Sequence, residues 1–168
     1  DRTRRVWDTE TGEPRGLAGH TDEVWYTSLS PDGARLVSVS KDATARLWDL
    51  ASGKEIARVT LPNPARQLVF RKDGLVVGSP GTAAGPPWRW SPGTPDLRLL
   101  SGPDEEVVSS AFSKDGDKVV YERRDGGVVL AVVGGPPVSL GKVPPGHVQW
   151  GLSEDGRVAM RSPDGGAG

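Results

Sequence analysis

The stretch GHTDEVWYTSLSPDGARLVSVSKDATARLWD, Gly19 to Asp49, decides how the chain is read. Val24 to Ser30 is a strand-like run rich in β-branched and aromatic residues. Pro31-Asp32-Gly33 turns the chain, since proline presets φ and glycine tolerates positive φ. Arg35 to Ser40 is a second run, Lys41-Asp42-Ala43 a second turn, and Thr44 to Trp48 a third run. Beyond it, Ala51-Ser52-Gly53 turns again into Lys54 to Val59. Four short strands joined by tight turns predict an antiparallel meander.

The pattern recurs. Asp-Gly pairs stand at Asp32-Gly33, Asp73-Gly74, Asp115-Gly116 and Asp155-Gly156, in steps of 41, 42 and 40 residues. Trp7, Trp48 and Trp90 keep the same rhythm, 41 and 42 apart. The third copy reads Val107 to Phe112, Lys118 to Glu122 and Val128 to Val132 as strands. No segment carries a 3.6-residue apolar period, so helix is not expected. A single meander has two apolar faces and cannot bury both. Stacking such sheets radially about an axis solves this, and a period near 41 residues with four strands fits a propeller blade.

Composition agrees. The 168 residues include 23 Gly and 15 Pro, a turn-rich mixture with little room for long helices. Lys and Arg number 21 and Asp and Glu 22, scattered without a basic stripe, which argues against nucleic acid or an anionic membrane as partner. The longest apolar run, Val128 to Val133, is far too short to span a bilayer. Cysteine is absent, which removes disulfides, thiolate metal sites and cysteine nucleophiles and fits a reducing, cytoplasmic setting. The chain starts at Asp1 and its one Met is Met160, so a longer parent is expected.

On these residues the chain resembles the WD40 repeat family. The resemblance is carried by Gly19-His20, Ser30-Pro31-Asp32-Gly33, Ser40, Asp42, Thr44 and Trp48-Asp49, with Trp7-Asp8 ending a preceding repeat. It implies an all-β, partial WD40-like propeller of about four blades. Residues 1–12 form the end of one blade, 13–53 a well-matched blade, 54–95 and 96–136 degenerate blades, and 137–168 a partial last blade. Leu61, Pro103 and Val143 stand where later copies would repeat His20; Trp90 keeps the tryptophan row, and its next position falls near Ala131. The count stays below the seven blades usual in the family. The remainder is expected elsewhere in the parent, from another chain, or replaced by a covering domain.

His20, Ser40 and Asp42 look like a nucleophilic triad on paper. The resemblance implies instead a structural hydrogen-bond tetrad of His20, Ser40, Asp42 and Trp48, in which Trp48 donates to the serine and His20 joins serine to Asp42. Ser38 could replace Ser40, because both lie on one face of the strand. No nucleophile elbow or oxyanion feature accompanies them, so no catalytic residue is assigned. His147 reads as a loop or strand-edge histidine, and no metal-ligand spacing is present; no metal or cofactor is expected.

The resemblance also places residues entering the innermost strand on the surface around the central channel. This makes Asp22, Trp25 and Tyr26 the candidate partner-binding residues. Ser79 to Pro95 holds five Pro and three Gly, read as an elongated turn and third strand rather than a ligand for a proline-binding domain. Asp104-Glu105-Glu106 reads as a solvated acidic loop. The expected function is a non-catalytic protein–protein interaction scaffold, with protein partners or other domains of the parent chain, and self-association through open sheet edges. The alternative is a sensory or regulatory arm of a larger bacterial signalling or defence protein bearing a kinase, nucleotide-hydrolase or protease domain. The bacterial source is suggested by fifteen Arg against six Lys with abundant Gly and Pro. A hydrolase in the channel would need convergent acids or histidines at several strand starts, and the sequence places none there.

Overall fold

The computed structural model describes residues 4–7, 14–80, 84–144, 148–153, 156–157 and 159–163. Among these the chain forms strands and no helix. The first four-stranded sheet is β3 (Val24–Leu29), β4 (Arg35–Ser40), β5 (Thr44–Asp49) and β6 (Glu55–Thr60). The second is β7 (Gln67–Phe70), β8 (Val76–Ser79), β9 (Trp88–Trp90) and β10 (Leu97–Leu99). The third is β11 (Val107–Phe112), β12 (Lys118–Arg123), β13 (Gly127–Val132) and β14 (Val138–Lys142). A leading pair, β1 (Arg4–Trp7) with β2 (Pro14–Leu17), and a trailing pair, β15 (Val148–Leu152) with β16 (Ala159–Pro163), flank them. Every neighbouring pair is antiparallel and follows chain order.

The Asp-Gly rows mark equivalent hairpins. Gly33, Gly74, Gly116 and Gly156 have φ of 69°, 85°, 73° and 64°, the left-handed region that disfavours a side chain. Each donates its N–H to the carbonyl three residues earlier, on Ser30, Arg71, Ser113 and Ser153. The aspartate before the glycine is there for its side chain. Asp32, Asp73 and Asp115 Oδ1 accept the backbone N–H two residues on, from Ala34, Leu75 and Asp117, at 2.9–3.1 Å. Asp155 lies outside the described residues. The second hairpin is one residue shorter: Phe70 faces Val76 where Leu29 faces Leu36 and Phe112 faces Val119.

First strands of successive sheets, β3, β7, β11 and β15, contact one another, so they line the axis and the later strands radiate outward. Both faces of each full sheet are buried. Val37, Val39, Ala45 and Leu47 of the first sheet pack on Phe70, Val76, Trp88 and Trp90 of the second. Leu36 and Trp48, on the opposite face, meet Leu17 of the leading pair. Ala111, Val120 and Val128 of the third sheet meet Trp150 of the trailing pair, whose indole N–H donates to buried Glu122 Oε2 at 2.9 Å. Long cations tie hairpin to hairpin: Arg71 donates to the Gly116 carbonyl at 2.9 Å, and Lys118 to that of Gly156 at 3.2 Å.

One expectation changes here. The sheets run 24–60, 67–99 and 107–142, so they are displaced by one strand from the repeat bounds 13–53, 54–95 and 96–136. The reason is that β2, inside the best repeat, completes the sheet before it. In the proline-rich stretch, Pro80 and Pro87 are buried and Trp88–Trp90 forms the third strand of its sheet, leaving no open proline helix at those two residues.

Candidate functional site

Turns alternate between the two ends of each meander. The Asp-Gly hairpins lie at one end. At the other lie the loops entering β3, β7 and β11 and the turns joining second to third strands. His20, Asp42, Trp25 and Arg66 all belong to this second end.

At the first sheet a hydrogen-bond chain clasps this end. His20 Nδ1 is 2.9 Å from Asp42 Oδ2, and a carboxylate only accepts, so Nδ1 carries the proton. His20 Nε2 therefore accepts, from the Ser38 hydroxyl at 2.7 Å, and Ser38 Oγ in turn accepts the Trp48 indole N–H at 2.8 Å. Asp42 also accepts from Thr44 Oγ1 at 2.6 Å and from the Thr21 N–H at 3.0 Å. Gly19 precedes His20 because a Cβ there would sit 2.9 Å from the Trp48 ring and 2.7 Å from the Arg46 guanidinium.

The serine of this chain is Ser38, not Ser40. Trp48 faces Leu36 across the β4–β5 ladder, so Ser38 is two residues along and Ser40 four. At about 3.3 Å per residue, Ser40 starts about 13 Å away, beyond the reach of the indole. Ser40 instead donates to the Asp22 carbonyl at 3.2 Å and accepts the Asp42 N–H at 3.1 Å.

The environment sets the charges. Burial lowers the His20 pKa from 6.5, and this outweighs the hydrogen bond and charge of Asp42, which raise it. Burial alone would raise the Asp42 carboxyl, but hydrogen bonds from Thr44, Thr21 and His20 hold it well below the usual carboxylate range. The residues resembling a triad are thus a closed chain with every polar atom answered. Ser38 and Ser40 are each 1% exposed, so neither hydroxyl faces a substrate.

The third sheet holds the same joint with other chemistry. Matching ladders puts Tyr121 at the position of Ser38, Ala131 at that of Trp48 and Arg123 at that of Ser40. Tyr121 donates to Glu105 Oε2 at 2.8 Å, Arg123 donates to Glu105 Oε1 at 3.1 Å, and the Gly102 N–H caps Oε2 at 2.8 Å. The acidic loop is therefore only partly solvated. Glu105 is half-buried and locks the loop to the second strand. The clue in the sequence is the exchange of a small and a large residue for a large and a small one, Ser38 and Trp48 against Tyr121 and Ala131.

The candidate binding residues separate. Trp25 is half-buried beneath the Arg66 guanidinium, whose carbon lies 4.8 Å from the indole centroid. Tyr26 is 48% exposed and follows a register shift in the β3–β4 ladder between Val24 and Tyr26. Asp22 is partly buried; its Oδ1 accepts the Glu23 N–H at 2.8 Å and its carbonyl accepts from Ser40. Beside them, Asp104, Glu106, Arg123, Arg124 and Asp125 line a charged cleft at the same end of the third sheet. His147 lies outside the described residues. Among the described residues no group of three His, Asp or Glu is placed to hold a metal ion, and no helix is long and apolar enough to cross a membrane.

The family model described as "WD domain, G-beta repeat" matches residues 13–49. The chain is similar to Autophagy-related protein 16 of Arabidopsis thaliana, 32% identical over 123 residues, covering 71% of this chain and 24% of that protein. It is 31% identical over 74 residues to Eukaryotic translation initiation factor 3 subunit I of Schizosaccharomyces pombe, covering 44% and 23%. To Nuclear distribution protein PAC1 of Arthroderma otae it is 42% identical over 62 residues, covering 36% and 13%. The chain thus spans a quarter or less of the length of these relatives. Among solved structures it resembles the Myceliophteria thermophila Cps50 (Swd1) beta-propeller domain, with a TM-score of 0.70 and 20% identity, covering 96% of this chain and 55% of that one.

Proposed function

Since the chain belongs to the WD40 repeat family, we propose that it works as a non-catalytic protein-interaction scaffold whose docking face is the end carrying Trp25, Tyr26 and Arg66. The observation that carries this reading is the Trp25–Arg66 stack at the mouth of the two innermost strands β3 and β7. An indole topped by a guanidinium offers a partner a flat apolar surface and a fork of donors at once. The closed His20–Ser38–Trp48 chain holds the loop that leads into Trp25, so the surface is ordered before anything binds.

The partner is a protein, or another domain of a longer chain, rather than nucleic acid or membrane, given the balanced and scattered charge. The cytoplasmic setting rests on the absence of cysteine. The finer alternative, a regulatory arm of a bacterial signalling or defence protein, rests on the arginine-rich composition; the relatives described above are eukaryotic.

A photo-crosslinking residue at position 26, compared with one at position 56 on the outer strand β6, tests the face. A discrete crosslinked protein from position 26 only, lost in Trp25→Ala at unchanged melting temperature, supports the reading. Equal crosslinking from both positions overturns it.

A further inference from the structure

We infer that two copies of this chain join into one closed ring, in which β1–β2 of each copy completes the sheet begun by β15–β16 of the other. The two pairs are complementary halves. Leu152 faces Ala159 as Leu29 faces Leu36 and Phe112 faces Val119, so β15 and β16 are the first and second strands of a sheet. Trp7 stands 41 residues before Trp48, on the third strand of the first sheet, and its partner Pro14 stands 41 before Glu55, so β1 and β2 are a third and a fourth strand. Among the described residues neither pair has its other half, and the bare edges are those of β16 and β1.

The missing halves also show as bared apolar side chains, one at each end of the arc. At the last residue of a first strand, Phe70 is 8% exposed and Phe112 is half-buried, each against the sheet before it. Leu29 holds the same position, on the face that packs against the leading pair, and is 54% exposed. A first and a second strand are what that leading sheet lacks. At the other end, Val138 lies across from Leu130 as Ala57 lies across from Leu47. Ala57 is partly buried against the second sheet, whose third strand carries Trp88 and Trp90. Val138 is 53% exposed, and a third and a fourth strand are what the trailing sheet lacks. Each end needs what the other end offers, and a second copy supplies both.

The two halves of one chain are too far apart to join each other. Over 96% of its length the chain superposes on 55% of a solved propeller domain, so it covers little more than half a turn. Two copies carry six whole sheets and two shared ones, a ring of eight, within the range in which such sheets close about an axis. The two junctions are related by a two-fold axis, so growth stops at the dimer. The first sheet fixes their register. Leu36 faces Trp48, Val37 faces Leu47, Ser38 faces Arg46 and Val39 faces Ala45. Transposed, Ala159 faces Trp7 of the second copy, Met160 faces Val6, Arg161 faces Arg5 and Ser162 faces Arg4. Arg5 against Arg161 is a like-charge pair, which weakens the junction and which salt screens.

The test uses the absence of native cysteine. Val6→Cys combined with Met160→Cys puts a facing pair of thiols at both junctions. Mild oxidation should then give a covalent dimer and no larger species. An internal disulfide within a monomer, a ladder of higher oligomers, no crosslink, or equal crosslinking from the off-register pair Arg5→Cys with Met160→Cys overturns the proposal. Charge exchange tests the same register without thiols, and decides if the cysteine variant does not fold. Light scattering should give a mass twice 17.8 kDa. Arg5→Glu and Arg161→Glu should each lower the dissociation constant about tenfold, by making the facing pair attractive at both junctions. The double variant, again a like-charge pair, should return to the starting value. Single variants without effect, or a double variant as tight as either single, overturn the inference.

Discussion

Ser38 Oγ stands 2.8 Å from the indole nitrogen of Trp48 and is the hinge of the hydrogen-bond chain, accepting from Trp48 while donating to His20. Ser38→Ala leaves the indole N–H and the His20 Nε2 buried without partners, and should cost about 1–3 kcal/mol of unfolding free energy. Ser40→Ala breaks only local bonds to Asp22 and Asp42 and should cost about 1 kcal/mol or less. Urea denaturation of the two variants distinguishes them, and equal losses would contradict the register described here.

Acid should weaken the fold in two stages. His20 is held below its ordinary 6.5, so the unfolded chain takes up a proton first. The stability it contributes is complete above about pH 6.5 and drains as pH falls from there toward the lower folded value. Asp42 is held below its ordinary 3.8, so its contribution stands above that pH and is lost further into acid. His20→Gln should remove the first stage and keep the second. Thermal melting from pH 8 down to about pH 2 reads the first stage in full and the onset of the second.

Tyr121 should resist ionisation. Burial first, and then the neighbouring Glu105 carboxylate, push its hydroxyl above the ordinary 10.0. In an absorbance titration it should remain protonated as pH passes 10 and ionise only at more alkaline pH or on unfolding. Tyr121→Phe should remove that late step and lower stability by about 1 kcal/mol. An unchanged titration in the variant would contradict the Glu105 contact.

The outward edges of β1 and β16 have no neighbouring strand among the described residues, and open edges recruit strands. The 17.8 kDa chain should therefore scatter light as a species larger than a monomer, increasingly so with concentration. Ser162→Lys adds a charge to this edge of β16 and should shift the distribution toward monomer. A monodisperse monomer at all concentrations would count against this expectation.

How much of this was legible before any coordinates follows from where each signal resides. The strands of the first sheet could be read because Pro31, Gly33 and Gly53 punctuate them and apolar runs fill the intervals. The Asp-Gly rows carried the repeat because positive φ and an Asx turn admit few other residue pairs. The choice between Ser38 and Ser40 was not decidable by face alone. It depends on the cross-strand partner of Trp48, which is Leu36. Glu105 was read as solvated because its two partners, Tyr121 and Arg123, lie 16 and 18 residues onward and only the ladder brings them back.

The one-strand offset between repeat and sheet carries a last consequence. Because β2 lies within the matched repeat 13–49 yet hydrogen-bonds to β1, consecutive units overlap like roof tiles. Duplicating one unit during evolution would not yield a freestanding leaf. It would extend the row by lending a border strand backward and awaiting one from ahead. Excision along the repeat boundary at residue 53 would likewise strip β6 from β5 and spoil that leaf, whereas a cut between 60 and 67 would leave each leaf whole.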